Sequence, residues 1–172
     1  MRARNATQGG ARKSVTPLPI NALTITQPWA YFIVNLPLRY RKRIENRTRN
    51  IGFHDSFWVH TSKKVTVAYY EDACSFAIKA GVPERLLPSR EALHCGKIIG
   101  RVTCTLLLAP DGVPHRGTMP AAGLSRAIKE WYWDGWGYVV SNAVPGPILA
   151  CSGARGFWRV PPDVLAKLGS AQ

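Results

Sequence analysis

Residues 40–49 read YRKRIENRTR, five basic residues around a single carboxylate. A carboxylate held among cations stays charged and accepts hydrogen bonds strongly, which suits recognition more than acid catalysis. In that role Glu45 accepts from an exocyclic amino group of cytosine or guanine, while Lys42 and Arg47 meet a phosphate or a base carbonyl. The plainer alternative is that Glu45 and Arg47 pair with each other and stitch this segment to a neighbour. A third chemistry belongs to Lys42, because desolvation would favour the neutral amine and make it a nucleophile or base. Ser62 or Tyr40 would then support hydrolysis of an amide or an RNA phosphodiester, although no second carboxylate or nucleophile–base spacing backs it.

The charge around this stretch is lopsided. The chain carries +13 over 172 residues, yet residues 1–49 alone hold ten Lys/Arg against Glu45, a net of +9. Such a field draws polyanions, nucleic acid being the commonest, with an acidic lipid surface or an acidic protein as the other classes. Arg39, Arg41, Arg43 and Arg49 read as phosphate contacts, which add affinity without sequence choice, and Lys63-Lys64 would extend the patch. An ordinary solvated basic face has the same composition. Five aromatics crowd WYWDGWGY, residues 131–138, too many to point inward from one element. An exposed ring there, Trp136 or Tyr138, is a stacking platform for an unpaired base.

Other totals narrow the class. With 46% hydrophobic residues the chain is neither wholly disordered nor collagen-like, and its length suits one domain. No apolar run nears the ~20 residues that cross a bilayer, and no leader-like core follows the first bases, so the expected setting is cytoplasmic, with no membrane partner. Cys74, Cys95, Cys104 and Cys151 stand singly, without C-x-x-C pairs, and the four histidines are scattered. Reduced thiols, no metal and no cofactor are therefore expected.

The elements that must position these groups follow from periodicity and punctuation. Residues 1–19 have four bases, no acid and little to bury, and read as a disordered basic tail before a single domain over 20–172. LTI reads as a strand, and Thr26-Gln27-Pro28 as a helix start with Thr26 as cap. The helix runs through WAYFIVN with Trp29, Phe32 and Ile33 inward. DSFWVHTS alternates as a strand with Phe57 and Val59 inward and Ser56, Trp58 and His60 outward. VAYYEDACSFAIK reads as a helix ended near Gly81, PERLLPSREAL as a short helix or loop, and KIIGRVTCTLLL as a central strand bent at Gly100. A long surface loop is expected between Ala109 and Gly123 and a short helix over LSRAIKEWYWD. WGYVVSN, PILAC and GFWRV read as three strands and PPDVLAKLG as a closing helix. The sum is an α+β fold, a small mixed β-barrel with flanking helices.

The order LTITQPWA, KRIENR, VHTS, GKIIGRV, WGY and GARGFWRV resembles the ASCH family of the PUA-like superfamily, over about residues 21–160. The resemblance implies a PUA-like pseudo-barrel of about five or six strands, related to modules that bind RNA or read modified bases. It places Trp29, Lys42, Glu45, Asn46 and Arg47 in a cleft, with His60 and Ser62 at the adjoining strand end. The partner it implies is RNA or another single-stranded nucleic acid, with a base or a modified nucleoside in the cleft. Some members are amidohydrolases of a modified cytidine that use a Lys, a Glu and a Thr three residues after the Lys. Here Glu45 holds that Thr position, and the helix-to-motif connection NLPLRYRKRIENR is longer and richer in arginine than is usual in the family. A hydrolase of modified nucleosides, or a ribonuclease, in the same cleft is the alternative function.

Overall fold

The computed structural model describes residues 17–133 and 135–171. Its centre is two long antiparallel strands, Lys97–Leu108 and Trp136–Ala150. In chain order the strands are β1 (Asn21–Ile25), β2 (Ile44–Arg47), β3 (Ser56–Thr61), β4 (Lys97–Leu108), β5 (Pro114–Gly117), β6 (Trp136–Ala150) and β7 (Phe157–Arg159). They form one seven-stranded sheet in the order β2-β6-β4-β3-β1-β7, with β5 added to the end of β4. A flat strand of 15 residues would be about 50 Å long, too long for a domain this size, so β6 must curl. Register shifts between Ile98 and Gly100, Arg101 and Thr103, and Cys104 and Leu106 supply the bends. The result is a mixed α and β fold whose sheet curls into a half-barrel.

The helices are α1 (Trp29–Val34), α2 (Val67–Lys79), α3 (Arg126–Lys129) and α4 (Pro162–Ser170), with single 3₁₀ turns at Glu84–Leu86 and Arg90–Ala92. None is long and apolar enough to cross a membrane. Inside the curl, α1 buries Phe32 and Ile33 as its sequence spacing predicts. Its start differs from expectation: Thr26 does not cap it. The Oε1 of Gln27 accepts from the Tyr31 backbone N–H at 3.1 Å, and its Nε2 donates to the His94 carbonyl at 2.9 Å. A longer amide reaches both partners where a hydroxyl would reach one.

Trp58 is also placed differently. It was expected to face outward, but α4 covers that side of the sheet, and Trp58 is wholly buried with Ala22, Ile98, Val164 and Leu168. Its indole N–H donates to the Pro19 carbonyl at 2.7 Å, and Leu18 packs on the same cluster. The ordered body thus takes in the end of the expected tail, whose residues 1–16 lie outside the described ones. The region between Ala109 and Gly123 is not all loop, since β5 pairs with β4 there. The two expected strands WGYVVSN and PILAC are one: Asn142, at φ 48°, takes up a left-handed residue inside the ladder. Beyond it β6 pairs on one side only, where Pro145 and Pro147 are tolerated.

Gly100 is where β4 passes closest to its neighbours. A Cβ there would lie 2.6 Å from the Val144 carbonyl oxygen and 2.6 Å from the Val34 side chain. Gly100→Ala is expected to lower stability by about 1–3 kcal/mol. Urea unfolding should show a lower midpoint with an unchanged slope.

Candidate functional site

The basic segment enters the fold as β2, an edge strand paired only with the first half of β6, Glu45 opposite Tyr138 and Asn46 opposite Gly137. The backbone N–H of Lys42 first anchors to α1, donating to the Phe32 carbonyl at 3.0 Å. Its side chain then turns inward and is 1% exposed. The ammonium lies 5.6 Å from the Trp29 ring centroid, donates to the Ile44 carbonyl, and reaches Glu45 Oε2 at 2.9 Å. The other carboxylate oxygen, Oε1, meets an Arg47 Nη at 3.0 Å, and the same nitrogen donates to the Thr24 carbonyl on β1 at 2.8 Å. Strands β1 and β2 are not hydrogen-bonded neighbours, so this chain of contacts ties the half-barrel across its open side.

Burial lowers the Lys42 pKa, the Glu45 charge and hydrogen bond pull it back up, and Arg47 opposes them. The pairing expected as the plain alternative, Glu45 with Arg47, is therefore present, and Lys42 is its third member. Lys42→Ala would leave Glu45 with Arg47 alone in a dry site, at a cost of about 3 kcal/mol or more. Thermal or urea unfolding checks this, and Lys42→Arg, which keeps the charge, should lose less.

Above this network opens a cleft of about 200 Å³. Glu45, Asn46 and Arg47 line it together with the aromatic rings of Trp29, Tyr69 and Trp133. The rings are braced: Trp29 Nε1 donates to the Tyr69 hydroxyl at 3.1 Å, and Phe76 of α2 lies edge-on to Trp29 at 5.6 Å and to Trp133 at 5.9 Å. Asn46 positions rather than reads. Its Nδ2 donates to the Trp131 carbonyl at 2.8 Å and its Oδ1 accepts from the Trp133 backbone N–H at 3.4 Å, fixing the segment that presents Trp133. That ring is 41% exposed and is the accessible aromatic of WYWDGWGY.

Several expected site residues lie elsewhere. Tyr138 is fully buried, its hydroxyl accepting from the Ile51 N–H at 2.9 Å, so it offers no stacking face. Trp136 is half-buried, edge-on to His115 at 5.0 Å, and does not line the cleft. Ser62 Oγ donates to the Lys64 carbonyl at 3.1 Å, outside the cleft lining. Lys42, expected in the cleft, is not in its wall; with Arg41 and Arg43 it lines a separate cavity of about 320 Å³ that shares none of the cleft's residues. Arg41 is a staple there, donating to the carbonyls of Leu36 and Ala143, each at 3.0 Å. That larger cavity has no aromatic wall, whereas the smaller cleft joins rings to a charged floor. Arg49 remains exposed beyond β2. Trp133 and Tyr69 were not singled out in advance. The aromatic crowding pointed to the first, but no signal in the sequence ties the start of α2 to the cleft.

His60 is a core histidine. Trp158 Nε1 donates to Thr24 Oγ1 at 3.0 Å, Thr24 Oγ1 donates to His60 Nδ1 at 3.1 Å, and His60 Nε2 donates to the Cys151 carbonyl at 2.9 Å. Protonating Nδ1 would break that relay. Gly153 leaves room for the ring: a Cβ there would lie 2.3 Å from His60 Cε1.

The chain matches no family model and no curated protein. Among the described residues no three His, Cys, Asp or Glu gather where they could hold a metal ion, and the four cysteines are unpaired. What the cleft can do follows from its own walls: stack a flat ring against Trp133 and set its edge against Glu45 and Arg47.

Burial lowers the His60 pKa below its ordinary 6.5, with the Cys151 hydrogen bond opposing. The unfolded chain then takes up the proton more readily, so stability is fully present above pH 6.5 and is lost as pH falls through the folded value. The melting temperature should drop from about pH 7 to about pH 5. His60→Gln should be less stable at neutral pH and show a flatter dependence.

Proposed function

We propose that this chain is a binding module of the ASCH type, with a PUA-like half-barrel, that holds one unpaired base of RNA or another single-stranded nucleic acid in the Trp29–Trp133 cleft. The observation that carries the reading is the half-exposed Trp133 ring beside the Glu45–Arg47 pair, an aromatic face next to an acceptor and a donor. At about 200 Å³ the cleft is below the usual size of a cofactor site, which favours a single base or nucleoside over a larger molecule. A base stacked on Trp133 would bring its edge to the free lone pairs of Glu45, so an amino-bearing base, cytosine, adenine or guanine, is favoured over uracil. The resemblance supports the same place, because Trp29 of its QPW motif and Glu45, Asn46 and Arg47 of its KxxENR motif line this cleft.

Less supports the hydrolase. Burial lowers the Lys42 pKa, as a catalytic lysine would need, yet the side chain is 1% exposed and its donors are spent on Ile44 and Glu45. Ser62, its expected helper, is outside the cleft lining.

Retention of a mixed RNA pool, with mass analysis of the recovered nucleosides, tests both readings. Retained and unchanged RNA is expected; cleaved or demodified RNA would move the reading to the hydrolase. Trp133→Ala should weaken single-stranded RNA binding by about 1–3 kcal/mol, roughly 5- to 150-fold, while leaving duplex binding nearly as it was. Equal loss for both, or none for either, would remove the stacking role.

A further inference from the structure

The groove does not end at Arg47. Beside it lies a second cavity of about 270 Å³, and the two cavities share Arg47 and Thr48 in their walls. Arg47, Thr48 and Arg49 come from β2 and the residues just after it. Arg155 and Gly156 come from the turn between β6 and β7. Three arginines thus line one small space, and no acidic residue does.

The charges there are not used up by the fold. Among the described residues neither Arg49 nor Arg155 forms an ion pair. Arg47 shares Glu45 with Lys42, so two cations meet one carboxylate and a positive charge remains. Its Nε is buried and has no hydrogen-bond partner among the described residues. Like charges are gathered in this way at a cost in repulsion that an anion would relieve. Planar, forked donors suit phosphate oxygens in particular.

We infer that this second cavity is a phosphate subsite. It takes the backbone phosphate next to the base held in the Trp29–Trp133 cleft, and so rests on the reading of that cleft given above. The strand then leaves the cleft past Arg47 toward Arg49 and Arg155. It does not run over Arg41 and Arg43, although that stretch is as basic in sequence. Arg41 is tied to two carbonyls and Arg43 lines a cavity that shares no residue with either half of the groove.

The test measures binding of a short, labelled, mixed-sequence single-stranded RNA over a range of potassium chloride concentrations. The proteins are the wild-type chain, the double variant Arg49→Ala/Arg155→Ala, Arg43→Ala and Trp133→Ala. Arg49 and Arg155 are exposed, so their removal leaves the core intact. The double variant should bind about tenfold or more weakly near physiological salt, with a salt slope lower by about 0.7 per arginine removed. Arg43→Ala should keep the wild-type slope. A double variant with the wild-type slope, alongside a weakened Trp133→Ala, overturns the phosphate subsite and leaves the base cleft standing. A lowered slope beside an unaffected Trp133→Ala supports the subsite and overturns the stacked base. Intrinsic tryptophan fluorescence titrated with nucleoside monophosphates, nucleosides and pyrophosphate separates the sources of phosphate. Tighter binding of the monophosphates than of the nucleosides, lost in the double variant, supports the inference. Binding of pyrophosphate alone, with no RNA bound, overturns it in favour of a free-anion site.

Discussion

The pairing of one carboxylate with two cations, Lys42 and Arg47 around Glu45, is the interaction on which the open side of the half-barrel depends. Lys42 and Glu45 are almost wholly removed from water and Arg47 largely so. Removing charges from water costs several kcal/mol each, so the group persists only because its members satisfy one another and nearby carbonyls. The arrangement fixes geometry more than it adds stability. It sets the Lys42 ammonium against the Trp29 ring, holds Arg47 against β1, and leaves one positive charge at the seam. Arg47 of this group stands in the walls of both the base cleft and the arginine-lined cavity.

Around that seam the fold works by curling two long strands and filling both faces of the sheet. On the inner face α1 contributes Phe32 and Ile33, while on the outer face α4 seals Trp58. The late glycine-rich turn serves the same end. Gly153 makes room for the His60 ring, and Gly156, at φ 68°, turns the chain back into β7. The turn that carries Arg155 is therefore held by a glycine on either side, for reasons of packing and backbone conformation.

Much of this was readable from the chain. The apolar spacing of α1, the run of β4 with its bend at Gly100, and the helix over Val67–Lys79 all obey local rules, and the structure follows them. Where it departs, the cause is tertiary. β2 carries no strand pattern because Ile44, Glu45 and Asn46 are all buried, with the carboxylate paired, so no polar face alternates with an apolar one. Trp58 looked outward by alternation because nothing in its own segment announces that α4 will cover it. Asn142 and Pro145 looked like a turn because a bulge within a ladder uses the same residues. At the candidate site, Glu45 and Arg47 could be named from residue type, whereas Asn46 and Trp29 came from the family resemblance. Tyr138, His60 and Arg41 could not be sorted from them, since a buried tyrosine, a satisfied histidine and a stapling arginine look in sequence like a reader, a base and a phosphate contact.

The hydrogen bond from Lys42 to the Ile44 carbonyl has a consequence for how copies of the chain meet. The Arg43 carbonyl accepts from Val140 on β6, and carbonyls alternate along a strand, so that of Ile44 points to the free edge of the sheet. An unpaired strand edge ordinarily invites another strand to add to it. Here the acceptor such a strand would need is already taken by the protein's own ammonium, and Arg43, Arg47 and Arg49 flank it with like charge. The residues that build a basic groove thereby also keep β2 from becoming a template for strand-to-strand aggregation.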